Sequence, residues 1–160
     1  MKTSARDDAR ALCLLDPYGL NVDWNVLRAA RQMRSVEIFY SFMIMDANMN
    51  VLWRNPDKVS EVQLARIDRS WGDRSWRESA YIKQPGLFGE MEEKASNEAV
   101  IGALQQRLRE VAGFEDVPEP LPMRNSTGAV VYYLVFASPS KTGAKIVTEI
   151  YNRFRQRGIH

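Results

Sequence analysis

The hydrophobic pattern of the first 45 residues predicts a strand, a helix and a second strand. Residues 10–16 form a near-continuous apolar run, which is typical of a short strand covered on both faces. Asp23 stands where an N-cap belongs, and Trp24, Leu27, Ala30 and then Met33 or Arg34 follow at helical spacing. Residues 35–44 are rich in β-branched and aromatic side chains and predict the second strand. Because strand–helix–strand is a βαβ unit, we expect the two strands to be parallel.

The middle of the chain predicts helices joined by less regular segments. Residues 46–50 have the composition of a turn-rich link, and Pro56 opens a helix to about Ser70, with a buried stripe of Leu64, Ile67 and Trp71. A longer helix begins at about Glu90 or Ser96. We expect its buried face to carry Ile101, Leu104, Leu108 and Val111, and Gly113 to follow its end.

The last third predicts an antiparallel hairpin followed by a helix. Residues 121–125 and 129–137 flank Ser126-Thr127-Gly128, a turn too short for a parallel crossover. Ser138 or Ser140 can cap the final helix, whose apolar face is expected to carry Ile146, Ile150 and Phe154 beside Tyr151. The predicted fold is therefore α/β: a partial Rossmann-like sheet of two parallel strands and a C-terminal antiparallel hairpin, with a helical insertion. Without repeats or linkers, residues 1–160 are expected to form one domain.

Composition narrows the classes of function. The 160 residues are 45% apolar and 26% charged, with a net charge of +2, as in ordinary globular proteins that lack a strong field for nucleic acid or membrane. No run approaches the roughly 20 apolar residues of a membrane span, and the N-terminus lacks a secretory signal. One cysteine, Cys13, and one histidine, His160, exclude histidine-based triads and a four-ligand structural zinc. We therefore expect a cytoplasmic protein without a metal, and Cys13 as a small buried hydrophobe rather than a nucleophile.

The Asp16-Pro17-Tyr18-Gly19 segment is the first candidate site. It follows the first predicted strand, and ligands of open α/β sheets bind beyond the carboxyl ends of the strands. Asp16 could accept a hydrogen bond from a substrate amino group, Pro17 would stiffen the turn, and Tyr18 would stack on a planar ring. The alternative is an ordinary strand-to-helix turn with Tyr18 packed sideways.

Two further segments are candidates for substrate binding. Residues 71–77 contain two tryptophans, two arginines and an aspartate, so Trp71, Arg74 and Trp76 could clamp a nucleotide or a nucleic-acid backbone. The alternative, which we favour, is that the tryptophans pack an insertion onto the sheet. Arg124 and Asn125 could face the same edge as Asp16, although turn formation explains Asn125 equally well.

The Asp-Pro-Tyr segment resembles the fourth motif of amino-group methyltransferases that use S-adenosylmethionine. The order of motifs is similar to the C-terminal portion of the three-Cys-motif partner protein family. The matching segments span most of the chain: residues 15–20 with Trp24, 71–77, 113–114, 123–125, and 132–138 with Gly143. The resemblance implies a methyltransferase-like fold in which Asp16, Pro17 and Tyr18 line the catalytic corner.

The chain departs from that family in its upstream half. The family's glycine-rich loop and ribose-binding acid are absent, and none of the nine glycines forms Gly-x-Gly. We therefore expect no cofactor in this chain alone, whereas a complete assembly could bind S-adenosylmethionine.

An apolar first strand without earlier neighbours predicts an open edge that pairs with another chain. The expected partners are a second copy, directly or by swapping, or a separately encoded N-terminal half. Two functions stay open: an incomplete methyltransferase-like domain that acts on an amino group or nucleobase and that we expect to be inactive alone, and a non-catalytic interaction module or truncated remnant.

Overall fold

The computed structural model describes residues 9–87 and 89–157, which form six strands, six α-helices and one 3₁₀ turn. In chain order they are β1 (Ala11–Leu15), α1 (Trp24–Gln32), β2 (Val36–Phe42), α2 (Ile44–Asn50), the 3₁₀ turn (Pro56–Lys58), α3 (Glu61–Trp71), α4 (Trp76–Ala80), β3 (Tyr81–Gly86), β4 (Gly89–Lys94), α5 (Asn97–Glu110), β5 (Leu121–Arg124), β6 (Val130–Ala137) and α6 (Lys141–Gln156).

The main sheet is mixed and has the order β1-β2-β6-β5. β1 and β2 are parallel, with Cys13 opposite Ile38, whereas β6 runs antiparallel to both β2 and β5. The predicted α/β class, the parallel pair and the C-terminal hairpin are therefore confirmed. β1 lies at one edge of the sheet and β5 at the other.

Helices cover the two faces of this sheet unequally. Buried residues of α1 to α5 pack on one face against alternate residues of β2, namely Ile38, Tyr40 and Phe42. On the opposite face, α6 is the one helix of the described residues that packs against the sheet, through Ala144, Val147 and Tyr151. Since successive residues of a strand point to opposite faces, each strand contributes to both layers.

Local capping explains where two of the helices begin. The Asp23 carboxylate accepts a hydrogen bond from the Asn25 N–H at 2.8 Å at the start of α1. The Ser96 hydroxyl accepts one from the Ala99 N–H at 3.2 Å at the start of α5. Gly113 follows α5 with a φ of +85°, a backbone conformation that favours glycine. The predicted starts of α1 and α5 are confirmed, although Val111 is exposed rather than buried.

The segment predicted as a turn-rich link is a helix. α2 covers residues 44–50 and buries Ile44 and Ala47, which lie three positions apart on one side. The prediction was wrong because Asp and Asn favour turns locally, whereas tertiary packing of the apolar side decides the outcome here. The helix predicted from Pro56 is likewise divided into the 3₁₀ turn and α3, which begins after Ser60.

The sequence reasoning missed the β3–β4 hairpin altogether. Its two strands form a separate sheet in which Tyr81 lies opposite Lys94 and Gly86 opposite Gly89. Most of its residues are exposed on both faces, and Pro85 lies within β3. A hairpin of this kind has no apolar alternation to reveal it, and proline argues against a strand.

The predicted buried face of α6 was also wrong. Ile146, Ile150 and Phe154 are 57%, 43% and 43% exposed, whereas Val147 and Tyr151 are buried. The buried stripe is therefore rotated by one residue, about 100°, from the prediction. Small Ala144 and long Tyr151 fit against Phe136 and Leu134 of β6, and an apolar stripe is left at the surface.

Among residues 9–87 and 89–157, no helix combines the length and the apolar character that a membrane crossing requires.

Candidate functional site

The turn after β1 presents its polar residues to solvent. Asp16 is exposed, and the Tyr18 side chain is 95% exposed rather than packed sideways. Gly19 and Leu20 behind them are buried. The turn is held locally, because the Asn21 amide donates to the Tyr18 carbonyl and the Asn21 N–H donates to the Gly19 carbonyl at 3.0 Å. Asp16 and Tyr18 thus reach solvent from a well-supported loop.

Asp46 anchors this turn from behind. One carboxylate oxygen accepts from the Leu20 N–H at 2.9 Å and from the Arg66 guanidinium at 2.8 Å. The other oxygen accepts from the Asn50 amide at 2.8 Å. Gly19 has a φ of +73°, and an added Cβ would lie 2.9 Å from both Asp46 and Arg66. The close approach of this carboxylate therefore requires glycine at position 19.

The β5–β6 turn lies at the same end of the sheet as the carboxyl ends of β1 and β2. Phe42 at the end of β2 is opposite Tyr133, so the turn that precedes β6 extends past this end. Arg124 and Asn125 therefore lie at the same end of the strands as Asp16, as one interpretation predicted. They lie at the far side, because three strand spacings of about 4.8 Å, roughly 14 Å in all, separate β1 from β5.

Arg124 and Asn125 support their own turn. The Asn125 side-chain oxygen accepts from the Thr127 N–H and the Ala129 N–H, both at 3.0 Å. The Arg124 guanidinium donates to the Gly128 carbonyl at 2.8 Å. These contacts fit the turn-forming interpretation of Asn125, and a role of either residue in substrate binding stays a prediction.

Tyr133 and Glu98 form a hydrogen bond near this end of the sheet. The Tyr133 hydroxyl donates to the Glu98 carboxylate at 3.3 Å, at the first turn of α5. Burial, and then the negative charge of Glu98, raise the pKa of Tyr133 to about 12. The phenol therefore stays protonated at neutral pH and acts here as a hydrogen-bond donor.

The tryptophans of residues 71–77 lie in the core. Trp71 and Trp76 are only 2% and 3% exposed. Their indole N–H groups donate to the Ser75 hydroxyl at 3.1 Å and to the Asp68 carboxylate at 2.7 Å. This placement fits the packing interpretation, because a ligand could stack on either ring only by displacing these contacts.

Arg107 of α5 holds the loop between α3 and α4. Its guanidinium lies 4.9 Å from the centre of the Trp24 ring and donates to the Trp71 carbonyl at 2.7 Å. It also contacts the Asp73 carboxylate at 2.6 Å. Desolvation alone would raise the pKa of Asp73, but the hydrogen bonds from Ser75 and Arg107 together lower it below its ordinary value. Sequence reasoning missed Arg107, since nothing local marks a contact more than 30 residues away.

Arg74 is the exposed member of the predicted cluster. It pairs with Asp68 at 2.9 Å and with Glu61 at 3.8 Å. It also borders a groove of about 580 Å³ between α4 and the β3–β4 hairpin, whose other lining residues are Arg77, Glu78, Tyr81, Ile82, Lys83 and Glu92. Arg77 in this groove is paired with Glu92 at 3.0 Å. Arg74 and Arg77, the arginines of this groove that could bind an anionic ligand, are therefore already paired with carboxylates.

No family model, curated protein or solved structure matches this chain in the three comparisons. The resemblance seen in the sequence stays a prediction. In the part of the chain that the structure describes, no group of three or more His, Cys, Asp or Glu side chains could hold a metal ion.

The outer side of β1 is the second candidate site. Leu12 and Leu14 are 61% and 68% exposed. They lie opposite Glu37 and Phe39, and so belong to the face of the sheet that α6 covers over β2, β6 and β5. Cys13 and Leu15 point the other way and pack against the main core. β1 therefore combines an apolar surface on one face with a free edge, since no described strand pairs with its outer side.

Proposed function

We propose that this protein is an assembly module, an α/β domain whose open β1 edge is completed by another polypeptide. The exposure of Leu12 and Leu14 on an edge strand is the observation that supports this most directly. Natural edge strands are usually short, charged or covered, because free N–H and C=O groups pair readily with other strands. β1 has leucines where a protected edge would carry lysine or proline, so pairing would bury apolar surface and satisfy backbone groups together.

Site-specific photo-cross-linking tests the proposal. A benzoyl-phenylalanine at position 14 should yield a covalent adduct heavier than the monomer when the full chain is expressed in its native cell. The same group at position 62 is the matched control, because Val62 on α3 is 72% exposed but lies outside the sheet. Equal adducts from both positions, or none from position 14, would contradict an assembly role for β1.

A second candidate function is a methyltransferase-like half-site, for which Asp16 and Tyr18 supply the supporting observation. Both are exposed at the carboxyl end of β1, where ligands of open α/β sheets bind. This second proposal includes the idea that the sheet is part of a Rossmann-like fold. The described residues do not by themselves fit S-adenosylmethionine, since none of them forms a strand or a glycine-rich loop on the outer side of β1. The half-site proposal therefore includes a separately encoded half that supplies that wall.

Calorimetry distinguishes the two functions. Titration of S-adenosylmethionine into the chain alone should give no binding heat under either proposal. With the product of an adjacent upstream reading frame added, the half-site predicts saturable binding that Asp16→Ala and Tyr18→Ala weaken. Absence of binding in that mixture would exclude the half-site with this candidate half and leave the assembly role standing.

A further inference from the structure

We propose that a second copy of this chain completes the β1 edge, by antiparallel pairing of the two β1 strands about a two-fold axis at Cys13. The inference rests on the proposed assembly function and names its partner. Two four-stranded sheets would join into one continuous sheet of eight strands. Three independent features of β1 support this arrangement: the direction of its free backbone groups, the charges at its ends and the leucines on its uncovered face.

The backbone of β1 sets which residues can pair outward. The Ala11 N–H donates to the Ser35 carbonyl at 2.9 Å, so Ala11 faces β2. Facing alternates along a strand, and the N–H and C=O groups of Leu12 and Leu14 therefore point to the free edge. In an antiparallel pair about Cys13, Leu12 exchanges both bonds with the partner's Leu14, and Leu14 with the partner's Leu12. The two Cys13 residues then form the non-hydrogen-bonded pair between them.

The charges that flank β1 select this register. With the axis at Cys13, Arg10 lies opposite the partner's Asp16, and Asp16 opposite the partner's Arg10. Both side chains are exposed. Continued one residue past each end of β1, the alternation of the strand assigns both to the face of the two leucines. A shift of the axis to Leu12 would place Arg10 opposite the partner's Leu14. A shift to Leu14 would place Asp16 opposite the partner's Leu12. Only the central register opposes unlike charges at both ends.

The apolar surface is complementary to itself in the same register. Leu12 and Leu14 of the two copies would form one patch of four leucines across the joined sheet, on the α6 side and beyond the part that α6 covers. α6 begins beside Glu37, where an added Cβ on Gly143 would meet the Glu37 carboxylate. Its residues Ile146, Ile150 and Phe154 are exposed on this same side of the sheet. A two-fold axis lets one surface serve both copies.

A charge-swap cycle tests the pairing. Sedimentation equilibrium of the full chain should show a dimer, and Arg10→Asp or Asp16→Arg alone should weaken dimerisation by about tenfold, because each places like charges opposite one another twice. The double variant Arg10→Asp/Asp16→Arg should regain the wild-type dissociation constant. Lys58→Asp, an exposed charge change on the 3₁₀ turn, is the matched control and should leave it unchanged. Circular dichroism of each variant checks that the fold is retained.

Disulfide formation at Cys13 tests the register independently. A non-hydrogen-bonded antiparallel pair has Cα atoms about 4.5 Å apart, within the range that a disulfide spans. Mild oxidation with copper–phenanthroline should therefore join the two thiols and give a covalent dimer. A dimer that does not cross-link at Cys13, or single charge swaps without effect, would overturn this register.

The oligomeric state separates this inference from the function on which it rests. A folded monomer at all accessible concentrations would overturn the second copy as the partner. If position 14 nevertheless forms a specific photo-adduct with a different chain, the assembly function stands and only its partner changes. If position 14 forms none, both proposals fall.

Discussion

At the residue scale, Asp46 holds the turn after β1 in place, whereas the side chains of Asp16 and Tyr18 project into solvent. Asp46→Ala would leave the Leu20 N–H, Arg66 and Asn50 without their common acceptor. Because unsatisfied, partly buried donors are costly, we expect the free energy of unfolding to fall by about 2–3 kcal/mol in urea titrations. Asp57→Ala is the control, since that side chain is 85% exposed, and should cost less than about 0.5 kcal/mol. Similar losses in both variants would contradict the anchoring role.

Tyr40 makes the stability of the folded state depend on pH in the alkaline range. Burial raises the pKa of its phenol to about 12, against a hydrogen bond with Ser70 that lowers it. The folded state therefore holds the proton more tightly than the unfolded state, whose tyrosine has a pKa near 10. This stabilisation is fully present below pH 10 and is lost as the pH rises towards 12. Between pH 10 and pH 12 the free energy of unfolding should fall by about 3 kcal/mol.

Urea unfolding at a series of pH values measures this effect. The difference in stability between the wild type and Tyr40→Phe should be constant from pH 7 to about 9.5 and should move in favour of the variant above pH 10. Tyr18→Phe replaces a phenol that is 95% exposed and serves as the control, with the wild-type profile expected. Parallel profiles for wild type and Tyr40→Phe through pH 12 would show that Tyr40 does not contribute.

At the scale of the element, α6 provides a matched pair of neighbouring residues. Val147 is 6% exposed and contributes to the packing of α6 on the sheet, whereas Ile146 is 57% exposed. Val147→Ala should lower the free energy of unfolding by about 2 kcal/mol, through lost burial and a small cavity. Ile146→Ala should change it by less than about 0.5 kcal/mol in the same denaturant series. A larger loss for Ile146→Ala than for Val147→Ala would instead support the buried face that the sequence predicts.

These elements show where sequence reasoning succeeds and where it stops. β1, β2, β6 and α1 carry long apolar or capped patterns, and they were predicted nearly to their ends. α6 was predicted as a helix, but two stripes one residue apart are both apolar, and only the shape of the sheet beneath decides between Ile146 and Val147. Of the described residues of the β3–β4 hairpin only Tyr81 is buried, so its strands show no hydrophobic alternation from which they could be predicted.

The candidate sites were predictable to a similar degree. The position of Asp16 at the end of a parallel strand and the open edge of β1 both follow from the order of the elements. The contacts of Asp46 with Leu20 and Arg66, and that of Arg107 with Trp71, do not, because each joins residues 20 or more positions apart through side chains that no local pattern singles out. The burial of Trp71 and Trp76 likewise depends on helices that pack together only in the folded chain.

At the scale of the whole molecule, the β3–β4 hairpin is an appendage of the α/β body. Tyr81 lies directly opposite Lys94, so Asn-Gly can replace residues 82–93 as a two-residue turn. The shortened chain loses the Arg77–Glu92 ion pair but no core strand. We expect cooperative thermal unfolding with a Tm within about 5 °C of the wild type by calorimetry. A non-cooperative transition would show that the hairpin stabilises the body.

The support that Asp46 gives to Leu20 has a consequence for how this protein can vary. Because the turn is secured from behind, the side chains of Asp16 and Tyr18 contribute little to folding, and the fold should accept almost any residue at these two positions. A library randomised at positions 16 and 18 and selected only for folding should therefore return nearly all amino acids. Any restriction that natural selection imposes there would then report directly on what the protein binds.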